Sequence, residues 1–205
     1  MHKIARVAVM AASLGLIVTS SAWAQDAKPM HLRGTIEKVD GNVITAKARD
    51  GSTVTIKLAA DAKVTAMTKA QLTDIKQGSY IGVTAMPQPD GSQKAIGLHI
   101  FMDAQRGVAE GFRPWDREPG STMTNADVAT QVTGADGQTL TVKYKDGEKK
   151  VIVPPNTPVV RFMPGTKDDL KPGAQFFIVA ATKQSDGTYT APNINVGRDG
   201  AVPPM

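Results

Sequence analysis

The chain contains no cysteine. That excludes disulfides, a thiol nucleophile, thiolate metal sites and an acylated lipobox. Aromatic residues make up only 5% of it, too few for the stacking platforms that read single-stranded nucleic acid. Beyond the first two dozen residues no apolar run approaches the roughly 20 residues a membrane helix needs. Stretches such as Phe176 to Ala181 have the length of a strand. Neither a G-x-S-x-G elbow nor a G-x-G-x-x-G or G-x-x-x-x-G-K-[ST] phosphate loop occurs. The 24 basic and 19 acidic residues are dispersed, which leaves no clustered footprint for nucleic acid. Most carboxylates fall in Asp-Gly turns, where they bond their own backbone, and Asp168-Asp169 reads as a solvated turn. No enzyme activity and no cofactor are expected.

What is present begins with a leader. Met1 to Arg6 carry two positive charges and no acid, an apolar run follows from Val7 to Val18, and Ala22-Trp23-Ala24 supplies a small-x-small triplet. This grammar predicts a signal peptide over residues 1–24, with Gln25 as the new N-terminus. The expected address is the periplasm, with export to the medium as the alternative.

The next signal is self-similarity. Asp40-Gly41, Asp50-Gly51 and Asp90-Gly91 recur as Asp136-Gly137, Asp146-Gly147 and Asp186-Gly187, each pair shifted by 96 positions. Ile75-Lys76-Gln77-Gly78 returns, shifted by 95, as Leu170-Lys171-Pro172-Gly173. Asp-Gly marks tight hairpin turns, because both residues adopt positive φ cheaply. Between the turns apolar and polar residues alternate: Val54, Ile56, Leu58; Ile81, Val83, Ala85; Ile96, Leu98, Ile100, Met102; Leu140, Val142, Tyr144. Period two puts one face in a core and the other in water. The expectation is an all-β chain of two small OB-like barrels in tandem, residues 30–103 and 125–199. A linker over 104–124 joins them, and a tail over 200–205 is expected to fray. On this alternation His99 faces water and Met102 faces the core.

The linker is rich in glycine, proline and charge, yet it holds Trp115, the only tryptophan beyond the expected leader. An indole argues for an ordered connection, with Trp115 packed between the barrels. The competing reading makes Arg106, Arg113 and Trp115 an interaction surface, because loops tend to carry function. Candidate metal ligands are Met30, His31 and His99, since thioether and imidazole suit copper. His99 and Met102, three apart, face opposite ways on a regular strand, so their spacing argues against a shared ion.

The two modules, the linker string from Arg106 to Asn125 with its Pro114-Trp115-Asp116 centre, and the ending Val196 to Met205 resemble a family of exported proteobacterial proteins. The resemblance covers nearly the whole chain after the leader. It implies a duplicated OB-like domain of unknown function and supplies no catalytic residues. Members often carry the label "metal ABC transporter permease". A permease needs several apolar spans, and none remains here once the leader is removed. The resulting expectation is a binding or interaction protein without catalytic activity, with an unidentified protein or small-molecule partner in the cell envelope. A periplasmic metal-handling accessory protein associated with a transporter is the alternative.

Overall fold

The computed structural model describes residues 28–134 and 137–205. The expected leader and Asp136 lie outside the described residues. Twelve strands are connected in one continuous network: β1 (Met30–Asp40), β2 (Val43–Ala48), β3 (Thr53–Ala70), β4 (Tyr80–Pro87), β5 (Gln93–Ile100), β6 (Gly111–Pro114), β7 (Thr122–Gly134), β8 (Gly137–Tyr144), β9 (Gly147–Val153), β10 (Val159–Pro164), β11 (Gln175–Lys183) and β12 (Tyr189–Gly197). Short 3-10 turns at Leu72–Asp74, Asp103–Gln105 and Lys167–Asp169 supply the only helical geometry among the described residues. No helix there is long and apolar enough to cross a membrane.

The expected Asp-Gly hairpins form where the described residues cover them. Asp90 Oδ1 accepts bonds from Ser92 N at 3.0 Å and Ser92 Oγ at 2.6 Å. Asp186 Oδ1 does the same for Thr188, at 2.9 and 2.6 Å. These carboxylates are committed to their turns. Alternation then fills the interiors: Ile44, Ala46, Val54 and Ile56 point into one core, and Leu140, Val142, Val151 and Val153 into another.

The strands close into two five-strand circuits. In the first, β1 pairs with β2 and β11, β2 with β3, and β3 with β12, which pairs with β11. In the second, β7 pairs with β8 and β4, β8 with β9, and β9 with β5, which pairs with β4. The circuits have the same order and the same directions. Their strands, however, do not follow the boundaries expected from sequence. The first barrel takes β1–β3 from the first half of the chain and the β11–β12 hairpin from the second. The second takes β7–β9 from the second half and the β4–β5 hairpin from the first. The halves have exchanged their last hairpins.

The exchange follows from β3, which runs 18 residues without reversing. Its far end pairs antiparallel with β10, which in turn runs parallel to β5. The chain therefore leaves the first barrel in line with β3 instead of folding back. Met67 opposes Phe162 at the middle of this contact. These two positions are 95 apart, matching the repeat offset, so a pseudo-twofold axis passes between them. Equivalent bonds stitch each arriving hairpin to its host: Gly173 N donates to Ile36 O and Gly78 N to Val128 O, both at 2.8 Å. Each hairpin thus takes the equivalent place in the other half's circuit.

A third core fills the junction between the barrels. Met67, Tyr80, Phe101, Met123, Val160, Phe162, Phe177, Ala201 and Met205 are buried there, with Trp115 packed against them. Two expectations change here. Residues 201–205 do not fray. Ala201, Pro203, Pro204 and Met205 are buried, Arg33 Nε donates to Met205 O at 2.8 Å, and Pro204 lies over Gly97 so closely that a Cβ there would meet it at 2.6 Å. His99 does not face water either, being only 4% exposed. Strand β5 has a barrel core on one face and the junction core on the other, so period-two alternation on it separates two cores, not core from solvent.

Candidate functional site

The site lies where the second barrel meets the junction core. Five strands present one row of residues across it: Gly111, Asn125, Gly82, His99 and Val160 are successive cross-strand neighbours on β6, β7, β4, β5 and β10. Gly82 sits in the middle without a side chain. A Cβ there would lie 2.0 Å from His99 Cε1 and 2.8 Å from Asn125 Oδ1. The imidazole and the amide therefore lean into space that any other residue would occupy, the usual reason for glycine inside a strand.

Around this row opens a cleft of about 340 Å³. Its apolar wall includes Phe101, Phe162, Phe177, Val108, Met123 and Met205. The His99 ring stacks on Phe162 at 5.0 Å between centroids and meets Phe101 edge-on at 4.7 Å. Burial, assisted by the nearby Arg113 charge, pushes the His99 pKa down to about 3. The imidazole is therefore neutral at physiological pH, able to donate from one nitrogen and accept at the other.

Four buried side-chain polar atoms lack a protein partner among the described residues, and three belong to this cleft: His99 Nδ1, Trp115 Nε1 and Asn125 Oδ1. The Asn125 orientation is set by its other amide atom, since Nδ2 donates to Val108 O at 3.2 Å. A buried polar group without a partner costs roughly 1–3 kcal/mol. Three on side chains that line one cleft leave its wall with uncompensated polar groups just behind the surface.

The linker supplies the opposite wall. Strand β6 pairs with β7, so the segment from Gly111 to Pro114 is part of the sheet. Trp115 N donates to Ser121 O at 2.8 Å, and Ser121 Oγ donates to Trp115 O at 3.2 Å, which pins the loop. The indole stacks against His31 at 4.3 Å and Phe177 at 6.1 Å. The Arg113 guanidinium carbon lies 5.4 Å from the indole centroid, and Nη1 donates to Ala109 O at 2.9 Å. Burial lowers the Arg113 pKa.

Of the residues singled out by sequence, His99, Arg113 and Trp115 thus meet in one cleft. His31 backs the indole from outside, where its Nδ1 meets Asp116 Oδ1 at 2.8 Å. The same carboxylate accepts from Arg33, Nη2 to Oδ1 at 2.7 Å. Burial would raise the Asp116 pKa, but the bonds from Arg33 and His31 prevail and hold it down to about 2. Met30 is exposed and does not line the cleft. Arg106 lies apart, paired with Asp127 and donating to Gly78 O at 2.9 Å, with its guanidinium over Tyr80. Met30, His31 and His99 do not form one ligand set, and the described residues hold no group of three or more His, Cys, Asp or Glu placed to grip a metal.

Sequence reasoning missed Asn125, Gly82 and Phe177. Gly82, an isolated glycine inside an alternating run, was the one available signal, because such a glycine marks close approach. Asn125 and Phe177 carry none, since the hairpin exchange is what brings them together. No family model, no curated protein and no solved structure matches this chain.

Proposed function

We propose that this is a non-enzymatic binding protein of the bacterial cell envelope, built from two OB-like barrels with exchanged hairpins, which holds a small molecule in the cleft under His99 and Trp115. The observation that carries this reading is a largely apolar cleft of about 340 Å³ whose lining side chains include His99, Trp115 and Asn125, each with a buried polar atom that lacks a protein partner. Cavities with an apolar lining and a few placed polar groups are the usual form of small-molecule sites. The strand order of each circuit supports the OB-like reading, and barrels of that type bind on a sheet face and its flanking loops. The leader grammar of residues 1–24 supports the envelope address, periplasmic or exported. His99 is the one imidazole lining the cleft among the described residues, and burial keeps it neutral at physiological pH.

Metal handling is the second reading. The free Nδ1 of His99 shares the cleft with the thioethers of Met123 and Met205, a donor set suited to Cu(I). Those methionines are also packed in the junction core at 1% and 2% exposure, which favours a structural role for them.

Native mass spectrometry of the protein taken from its own envelope without chelators tests both. A retained small organic molecule supports the first reading, and a retained copper ion supports the second. A bare mass, or only a bound protein, overturns both in favour of an interaction surface elsewhere.

A further inference from the structure

Resting on the cleft as the binding site, we propose that its ligand is a small organic carboxylate with an apolar body, its charge met by Arg113 and the Trp115 Nε1–H and its second polar group by His99 and Asn125.

The charge balance of the arginines points there. Six of the seven arginines among the described residues have a carboxylate partner: Arg33 with Asp116, Arg49 and Arg117 with Glu118, Arg106 with Asp127, Arg161 with Asp74, and Arg198 with Asp169. Arg113 has none. Its guanidinium gives one hydrogen bond, to the Ala109 carbonyl, and leaves its remaining N–H groups for a visitor. Carboxylate and guanidinium match in plane and fork geometry, so such a group is the natural visitor. The cleft also holds Lys63 and no Asp or Glu side chain. Its field among the described residues therefore favours an anion.

The rest of the lining narrows the class. Phe101, Phe162, Phe177, Val108 and Met123 demand an apolar body, aromatic or branched, of a size that about 340 Å³ admits. Inorganic phosphate has no apolar body for this lining to cover. Asn125 Oδ1 accepts only, and His99 accepts or donates, so the second polar group of the ligand is a donor. A hydroxyl fits better than an ammonium, which would face Arg113 and Lys63. Aromatic and branched 2-hydroxy acids combine these features.

Calorimetry with 3-phenyllactate as probe, against its amide and against inorganic phosphate, tests the assignment on the wild-type protein. Emission of Trp115 gives a second readout. The acid should bind and shift the emission, with the amide about tenfold weaker or worse. In Arg113→Gln the acid should lose that advantage, while Arg113→Lys retains part of it. Equal binding of acid and amide, or binding of phosphate in preference, overturns the carboxylate. Absence of acid binding into the millimolar range, beside a small molecule retained in native mass spectrometry, overturns the carboxylate and leaves the cleft as a binding site. Absence of both overturns the cleft as well.

Discussion

The two barrels share strand order and strand directions, yet their equivalent rows carry different residues at every position. In the second barrel the row reads Asn125, Gly82, His99 and Val160. In the first it reads Arg33, Phe177, Asn195 and Thr65. Where one barrel has glycine, the other has a phenylalanine that is 2% exposed. Phe177 fills its row, carries the Arg33 guanidinium at 4.6 Å, and forms part of the wall of the cleft that Gly82 leaves open. Asn195 Nδ2 donates to Phe177 O at 3.1 Å and Asn125 Nδ2 to Val108 O at 3.2 Å, while Asn125 Oδ1 and His99 Nδ1 are buried without a partner. Both rows border the cleft, the filled one through Phe177, Asn195 and Thr65 and the glycine-bearing one through His99 and Asn125. The buried polar atoms without a partner lie on the glycine-bearing side and on Trp115.

That contrast can be broken from either side. Phe177→Ala removes the filled half, and large-to-small substitution of a buried phenylalanine costs about 3–5 kcal/mol. Urea unfolding should show a fall of that size, and one below about 1 kcal/mol would mean that Phe177 is not the keystone of its row. Gly82→Ala closes the open half by driving a methyl group into His99. Overpacking of this kind costs about 1–3 kcal/mol, and it should displace the imidazole into the cleft, visible as changed ring resonances by NMR.

His99 sharpens the contrast through pH. Its folded pKa, about 3, lies below the ordinary 6.5. The unfolded chain therefore binds a proton that the folded one refuses, and stability is present above pH 6.5 and lost as pH falls. The loss reaches up to about 1.4 kcal/mol per pH unit below that point. His99→Gln should remove this slope between pH 6.5 and 4.5, and an unchanged slope would show that the imidazole is not buried neutral. The smallest effect belongs to the filled side. Asp116 has its pKa held near 2, so its contribution is present above about pH 4 and fades toward pH 2. Because its side chain is 53% exposed, Asp116→Asn should cost no more than about 1 kcal/mol at neutral pH, measured by urea unfolding.

Which parts of this were readable from sequence follows from what each signal encodes. Asp90-Gly91 and Asp186-Gly187 announce their hairpins because turn chemistry is local. Val54, Ile56 and Leu58 announce a strand because alternation is local too. The exchange of hairpins is not local. Halves with the same turn spacing and alternation give both hairpins an apolar face, so the pattern fits an exchanged and an unexchanged chain equally well. His99 was misplaced for a related reason: alternation tells two faces apart, but it does not say that the second face is dry. Trp115 and Arg113 stood out as an indole and a cation in a proline-rich segment, while Asn125, which lines the same cleft, lay unmarked on β7. The burial of Pro203, Pro204 and Met205 depends on a groove made by both barrels, which no short window displays.

The account rests on Gly82 holding a binding cleft open, and a side-by-side measurement of ligand occupancy tests that most directly. Wild type and Gly82→Ala would be expressed in the same envelope, purified alike and weighed intact under native conditions. The account predicts a small-molecule adduct on the wild type that is missing from a folded Gly82→Ala protein. An adduct of equal occupancy on both, or a bare mass for the wild type, would contradict it.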